Sequence, residues 1–221
     1  MRNGRIKVVC LGDSITEGFG LEAEQAYPHV MAELLGEGYE VFNAGVTAHC
    51  VINETAPDGR VMCLPYVRTD RYRQGIEEKG DIYVVMLGTN DAQDGLFDDR
   101  SGVDPYSNMI SLVDRFNYHY QRILDDIRAS SPDARIYIVR PVPVLNCIWP
   151  KHQQAYLDIV LEHLDQVAGD NPDVCVIDMQ KMFRDMGEDW MRRIYQQDGL
   201  HPGPEGAALI ARTVAEAVRG E

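Results

Sequence analysis

The chain has 221 residues, of which 45% are hydrophobic and 25% charged, as in an ordinary globular protein of one domain. Its formal net charge of −14 disfavours nucleic acid and anionic membranes as partners, because like charges repel. The sequence has no run of 18 apolar residues and no secretory signal pattern at its N-terminus, so we expect one cytoplasmic domain over residues 1–221.

Apolar runs rich in Val and Ile alternate with segments of helical periodicity. Such runs predict parallel strands buried on both faces, here at residues 6–11, 39–44, 82–88, 135–142 and 174–178. Helices are predicted at 25–36, 68–79, 106–130, 151–169 and 204–219. The alternation predicts an α/β fold, a three-layer α/β/α domain with a doubly wound sheet of about five parallel strands. Two long irregular segments, at about 45–67 and 91–105, follow carboxyl ends of strands, where ligands bind in such sheets.

The five cysteines are an odd number, are widely spread and form no C-x-x-C pair. Cys10 and Cys175 lie in apolar runs and are expected to be buried. A bridge between Cys50 and Cys63 is an alternative, but the pattern favours reduced thiols and a reducing compartment.

Small or polar residues follow several of the predicted strands. The segments are "GDSIT" with Ser14, "NAGV" with Gly45, "GTND" with Asn90, and, before the last helix, "DGLHP" with Asp198 and His201. Each is ordinary by itself, since Ser and Asn cap helices, Gly forms turns and a lone His is usually solvated. Because carboxyl ends of parallel strands meet at one edge of a sheet, we expect these residues to lie close together.

Together these residues meet the requirements of an acyl-transfer site. Such a site needs a nucleophile, a base, a group that orients the base, and donors for the developing oxyanion. Ser14 is the candidate nucleophile, His201 the base, and Asp198 the carboxylate that orients it. The backbone N–H groups of Ser14 and Gly45 and the side-chain amide of Asn90 are the candidate oxyanion donors.

The four segments, in this order and spacing, resemble the blocks of the SGNH hydrolases, also called the GDSL esterase and lipase family. They extend from residue 12 to residue 202, nearly the whole chain. The resemblance implies a flavodoxin-like five-stranded sheet and metal-free, cofactor-free ester hydrolysis through an acyl-serine. It also implies that Ser14, Asp198 and His201 are catalytic.

Other chemistries fit the sequence less well. A phosphate-binding loop needs Gly-Lys-Ser/Thr, and no Lys lies between Lys7 and Lys79. The histidines on predicted helices lack the spacing of metal ligands, and Asp198 with His201 supplies too few. A non-catalytic carbohydrate-binding module is the alternative from a different class, and turnover of p-nitrophenyl acetate separates it from an esterase.

The expected substrate is a small acyl ester, acetyl above all, on an O-acetylated sugar. The negative charge and the lack of a basic amphipathic helix or long apolar lid disfavour lipid. The segments "VMLGTNDAQ", "RPVPVLNCIWP" and "DGLHPGPEGAALIA" are also similar to those of SGNH carbohydrate acetylesterases. Candidate substrate contacts are Asp13, His49, Asn146 and Trp149, with Tyr66 as a further stacking surface. A lysophospholipase or thioesterase of the same superfamily is the alternative.

Overall fold

The chain folds around a parallel sheet, seen in a computed structural model that describes residues 4–54, 64–92, 105–145 and 154–220. The strands of this part are β1 Ile6–Gly12, β2 Tyr39–Gly45, β3 His49–Cys50, β4 Leu64–Pro65, β5 Ile82–Met86, β6 Arg135–Arg140 and β7 Val174–Asp178. The helices are α1 Ser14–Glu17, α2 Tyr27–Leu35, α3 Asp70–Glu77, α4 Pro105–Ser130, α5 Gln154–Asp170, α6 Met179–Asp185, α7 Glu188–Ile194 and α8 Pro204–Arg219. None of the helices in these ranges combines the length and the apolar character needed to cross a membrane.

Five strands form the main sheet in the order β2-β1-β5-β6-β7, and every neighbouring pair is parallel. Counted within this sheet, the order is the 2-1-3-4-5 of flavodoxin-like folds, so the predicted architecture is confirmed. The chain leaves β1 toward one side for β2 and returns on the other side for β5. Ligand sites in such sheets lie at this reversal, outside the carboxyl ends of the strands. β3 and β4 form a separate parallel pair.

The side chains of β1 alternate between two cores, because successive residues of a strand point to opposite faces. Val9 and Leu11 pack with α3, α4 and α5, whereas Val8 and Cys10 pack with α2, α6, α7 and α8. All four are fully buried, which explains the unbroken apolar run in the sequence. The sheet thereby holds the end of β1 rigidly between two helical layers.

The sequence-based prediction missed the short elements α1, β3, β4, α6 and α7. Helices α6 and α7 have seven residues each, too few for a clear periodicity. Packing holds them instead, through Phe183, Met191 and Ile194, which are buried against the core.

Two expectations about the cysteines are wrong. Cys10 is buried as predicted, but Cys175 lies on the edge strand β7 and is exposed. Cys50 forms a disulfide, although the sequence pattern favours reduced thiols. Cys63 and Cys147 lie outside the described residues.

Candidate active site

Ser14 lies at the carboxyl edge of the sheet, where β1 passes directly into α1. The chain bends tightly at Gly12, where a Cβ would come within 1.9 Å of the Thr16 hydroxyl. Asp13 caps the helix by accepting a hydrogen bond from the Ile15 N–H at 3.0 Å. Ser14 is therefore the first residue of the helix, in the turn where backbone N–H groups have no intrahelical acceptor.

His201 and Asp198 lie on the loop before α8 and complete a hydrogen-bonded chain that begins at Ser14. His201 Nε2 is 2.8 Å from Ser14 Oγ, and His201 Nδ1 is 2.6 Å from Asp198 Oδ2. Because Nδ1 donates to the carboxylate, Nε2 is the acceptor that faces the serine hydroxyl. The fold thus brings together the three residues predicted to be catalytic, although 187 positions separate Ser14 from His201.

The surroundings of Asp198 hold it as an anion. Its Oδ1 accepts hydrogen bonds from the N–H groups of Leu200 at 2.9 Å and His201 at 3.0 Å. Burial by itself raises the pKa of this carboxyl, but the backbone and imidazole donors outweigh burial, so the pKa lies below its ordinary value. An ionised Asp198 stabilises the imidazolium that forms when His201 takes a proton.

A cavity of about 260 Å³ opens beside the Ser14 hydroxyl. The described residues that line it are Ser14, Phe19, Thr47, Ala48, Asn90, Leu200 and His201. None of them is an acid, a lysine or an arginine. The ring of Phe19 is 41% exposed, and its centroid lies 4.6 Å from that of the His201 ring. The cavity therefore suits a small, uncharged group.

Gly45 does not have the position expected of an oxyanion donor. Its N–H donates to Asn43 Oδ1 at 2.9 Å, and Gly45 is not among the described residues that line the cavity. A Cβ at Gly45 would come within 2.1 Å of the Glu17 backbone nitrogen. Glycine is needed here because β2 packs against the end of α1.

Of this loop, Thr47 and Ala48 line the cavity, and only the Thr47 N–H is bonded to Glu17. The Val46 N–H donates to the Gly12 carbonyl at 3.0 Å, and the Thr47 N–H donates to Glu17 Oε2 at 2.6 Å. Ala48 follows them, lines the cavity, and has a left-handed backbone with φ of 64°. Sequence reasoning missed this residue because nothing about an alanine indicates a left-handed backbone.

Asn90, the side-chain donor predicted from the sequence, lines the cavity. It follows β5 and is nearly buried, with 6% of its surface exposed. Its Nδ2 donates to the His49 carbonyl at 3.0 Å, which fixes the plane of the amide. Like every primary amide nitrogen, Nδ2 has two hydrogen atoms and can therefore donate two hydrogen bonds.

Asp13, a candidate substrate contact from the sequence, lies buried behind the described cavity wall. Its side chain is fully buried and is not among the described residues of the cavity wall. Burial raises the pKa of Asp13 to about 7, against the lowering effect of the Ile15 N–H. Its structural part is to cap α1 and so to hold Ser14.

His49 and Tyr66 also lie away from the described cavity wall. The His49 ring is hydrogen-bonded through Nδ1 to the Thr47 carbonyl at 2.7 Å. Tyr66 is fully buried and donates to the Ala44 carbonyl at 2.6 Å, so it offers no stacking surface. The remaining two candidates, Asn146 and Trp149, lie outside the described residues.

Besides Ala48, sequence reasoning missed Phe19 and Leu200, the larger apolar side chains of the described cavity wall. Both stand beside residues that were recognised, since Phe19 follows the "GDSIT" block and Leu200 directly precedes His201. Apolar residues in loops carry no chemical signal of their own.

Among the described residues, no group of three or more His, Cys, Asp and Glu side chains is arranged to hold a metal ion.

Known proteins of similar sequence and fold identify the family. The model of the GDSL-like lipase/acylhydrolase family matches residues 10–209. An acetylxylan esterase from Xylanibacter ruminicola is 26% identical over 220 residues, which cover 97% of this chain and 43% of that protein. The chain thus spans less than half the length of this curated relative.

Solved structures of the same fold include two hydrolases. An acetyl xylan esterase superposes with a TM-score of 0.70 at 20% identity, over 96% of this chain and 100% of the other. A lipase/acylhydrolase from Enterococcus faecalis superposes with a TM-score of 0.68 at 22% identity, over 97% and 96% of the two chains.

A flavodoxin-like sheet with a Ser-His-Asp chain at its carboxyl edge has the arrangement of hydrolases that use a nucleophilic serine. With the family match over most of its length, the chain belongs to the GDSL-like lipase/acylhydrolase family.

Proposed function

We propose that this protein is a serine esterase that hydrolyses small acyl esters, above all acetyl esters on carbohydrate. The observation that carries the proposal is the hydrogen-bonded chain from Ser14 Oγ through His201 to Asp198. The chain ends at a small cavity without acidic or basic side chains other than His201 among the described lining residues.

Acylation begins when His201 Nε2 takes the proton of the Ser14 hydroxyl while Oγ attacks the ester carbonyl carbon. The carbonyl oxygen becomes an oxyanion, for which we propose the N–H groups of Ser14 and Ala48 and the amide of Asn90 as donors. Ala48 takes the place first expected of Gly45, because the N–H groups of the three residues before it have acceptors within the protein. Each such donor is worth roughly 10²–10³ in kcat.

Acylation is completed when the imidazolium of His201 gives its proton to the leaving alcohol oxygen as the ester C–O bond breaks, which leaves an acyl group on Ser14. Deacylation repeats the sequence with water in place of the serine hydroxyl. A water molecule then gives a proton to His201 Nε2 and attacks the acyl carbon. The proton returns to Ser14 Oγ, and the free carboxylic acid departs.

The size of the cavity supports a short acyl group. At about 260 Å³ it is slightly smaller than the 300–1,000 Å³ typical of pockets for drug-sized ligands. The exposed ring of Phe19 at the rim offers a flat apolar face to the sugar. The relative from Xylanibacter ruminicola, an acetylxylan esterase, favours an acetylated polysaccharide fragment as the leaving group.

A lysophospholipase or thioesterase activity is the second candidate. It is favoured by the apolar side chains of Phe19, Ala48 and Leu200 in the cavity wall. Each methylene that finds apolar cover contributes about 0.8 kcal/mol to binding. A groove for long chains therefore predicts a kcat/KM that rises from acetyl to octanoyl esters, whereas our proposal predicts a steady fall.

The test is hydrolysis of p-nitrophenyl esters of increasing chain length, followed by acetate release from acetylated xylo-oligosaccharides. Ser14→Ala should abolish measurable turnover, since loss of a triad nucleophile costs several orders of magnitude. Ser130→Ala is the matched control, because Ser130 ends α4 and its hydroxyl bonds the Ile76 carbonyl away from the cavity. A Ser14→Ala protein with most of its activity would rule out the mechanism.

A further inference from the structure

Asp91 is a buried carboxylate next to the site that the proposed reaction does not use. It follows Asn90 directly, is 1% exposed, and is not among the described residues that line the cavity. Its two oxygens accept hydrogen bonds from backbone N–H groups of the segment after β2. Oδ2 accepts from Val51 at 3.0 Å, and Oδ1 accepts from Ile52 at 3.0 Å.

Asn90 bonds the same segment, through its Nδ2 and the His49 carbonyl. The Asn90–Asp91 dipeptide, in the loop after β5, therefore holds residues 49–52 through three hydrogen bonds. The fastened residues Val51 and Ile52 are themselves buried, which leaves the segment little room to shift. Ala48 immediately precedes it.

We propose that Asp91 is a positioning residue that sets the distance between the Ala48 N–H and the Asn90 amide, the two oxyanion donors carried by different segments. The proposal rests on the proposed function, because it assigns those donors to the oxyanion. Asp91 acts through its two backbone hydrogen bonds and does not touch the substrate.

A carboxylate is suited to this task because both of its oxygens accept hydrogen bonds, one from each of the two backbone N–H groups. Asp91→Asn replaces one accepting oxygen by an NH₂ group, which faces a backbone N–H and cannot accept from it. The variant thereby loses one of the two hydrogen bonds that Asp91 makes to the N–H groups of Val51 and Ile52. A displacement of about 1 Å at a site of this kind costs roughly 10²-fold in rate. Burial raises the pKa of Asp91 to about 6, against two lowering N–H bonds, so assays at pH 8 test the ionised form.

The experiment is a double-mutant cycle in kcat with p-nitrophenyl acetate at pH 8. Asp91→Asn should lower kcat by roughly 10- to 100-fold and leave KM within about twofold, because the interaction lost acts in the transition state. In an Asn90→Ala background the same substitution should cost at least about threefold less, since one of the two donors it positions is already gone.

Asp81→Asn is the matched control. Asp81 also holds a backbone N–H across the sheet, that of Lys7 at 2.8 Å, but it precedes β5 at the opposite edge. Its kcat should stay within twofold of the unmodified protein. If Asp91→Asn does not fold, Asp91→Glu replaces it, because it keeps the charge and both acceptors but displaces them by one methylene. The same kcat loss and the same non-additivity are expected.

Three results would overturn the positioning role. They are an unchanged kcat, a rise in KM alone, and losses at Asp91 and Asn90 that simply multiply. The proposed function fails separately, if the unmodified protein does not hydrolyse the ester or if hydrolysis survives Ser14→Ala.

Discussion

At the scale of single residues, Asp13 caps α1 with a hydrogen bond but lies in a buried environment that disfavours its charged form. Its Oδ1 caps α1, but Oδ2 is buried and has no hydrogen-bonding partner. Its pKa is therefore raised to about 7, mainly by burial. Between pH 3.8 and about 7 the folded protein keeps a proton that the unfolded chain releases. Stability from this group is full below pH 3.8 and is lost as the pH rises to about 7.

Asp13→Asn removes this pH dependence and keeps an oxygen that can cap the Ile15 N–H. We expect the variant to gain stability relative to the unmodified protein between pH 4.5 and pH 8, so the difference in the free energy of unfolding (variant minus unmodified) should increase. Urea unfolding at the two pH values measures it. Asp91 titrates in the same direction and is present in both proteins. Because its charge raises the pKa of Asp13, the difference contains this coupling as well as the titration of Asp13 itself. An equal difference at both pH values would contradict the assignment.

Ala48 is held in a conformation that suits glycine, with φ of 64°. A left-handed backbone costs an L-residue roughly 1–2 kcal/mol, and glycine avoids this cost. Part of the gain is offset, because glycine loses more conformational entropy than alanine when the chain folds. We expect Ala48→Gly to stabilise the protein by about 0.5–1 kcal/mol, measured by urea unfolding, and to keep the N–H proposed as a donor.

Ala32→Gly, inside α2, is the control of opposite sign. Glycine in a helix interior costs about 1 kcal/mol relative to alanine, so this variant should be less stable. Destabilisation by Ala48→Gly as well would show that the left-handed backbone carries no strain.

At the scale of elements, the contact between α1 and the end of β2 fixes where the nucleophile stands relative to the loop after β2. Gly45 provides the close approach, and Glu17 accepts from both the N–H and the hydroxyl of Thr47. The helix that carries Ser14 is thus tied to the loop that carries Ala48.

Gly45→Ala should destabilise the protein by roughly 1–3 kcal/mol, because the new Cβ overlaps the Glu17 backbone and not a flexible side chain. Thermal unfolding measures the loss. Gly38→Ala, just before β2, is the control, since no atom lies within 4 Å of its Cβ position. If Gly45→Ala is as stable as the unmodified protein, the close approach of β2 to α1 does not require glycine at this position.

Much of the fold followed from the sequence, because buried parallel strands leave a plain apolar pattern. β7 was predicted with its observed bounds and β1 to within one residue. The triad was also predictable, since each member has distinctive chemistry and follows or precedes a recognisable element. The site's finer geometry was not. The Gly45 N–H donates to the side chain of Asn43, two residues before it, and the sequence analysis did not consider this local turn of the "NAG" segment.

At the scale of the whole molecule, the Cys50 disulfide and a cytoplasmic location are competing expectations, because disulfides rarely persist in a reducing compartment. Of five cysteines, Cys10 and Cys175 are free, and a bridge from Cys50 uses one other. One disulfide therefore leaves three of the five cysteines as thiols.

We therefore expect three thiols per chain in unfolded, unreduced protein and five after reduction. Titration with a chromogenic disulfide reagent in guanidinium counts them, and a reduced sample of the same protein is the control. Five thiols without reduction would favour the cytoplasmic location and remove the bridge.

The distance along the chain between Ser14 and its base also has a consequence in time. Ser14 is made before His201, which follows 187 residues later. At a translation rate of about 5–20 residues per second, the nucleophile waits roughly 10–40 s for its base. Throughout that interval the nascent chain carries Ser14 without the His201 imidazole, so it cannot hydrolyse esters by the proposed mechanism until residue 201 has been made.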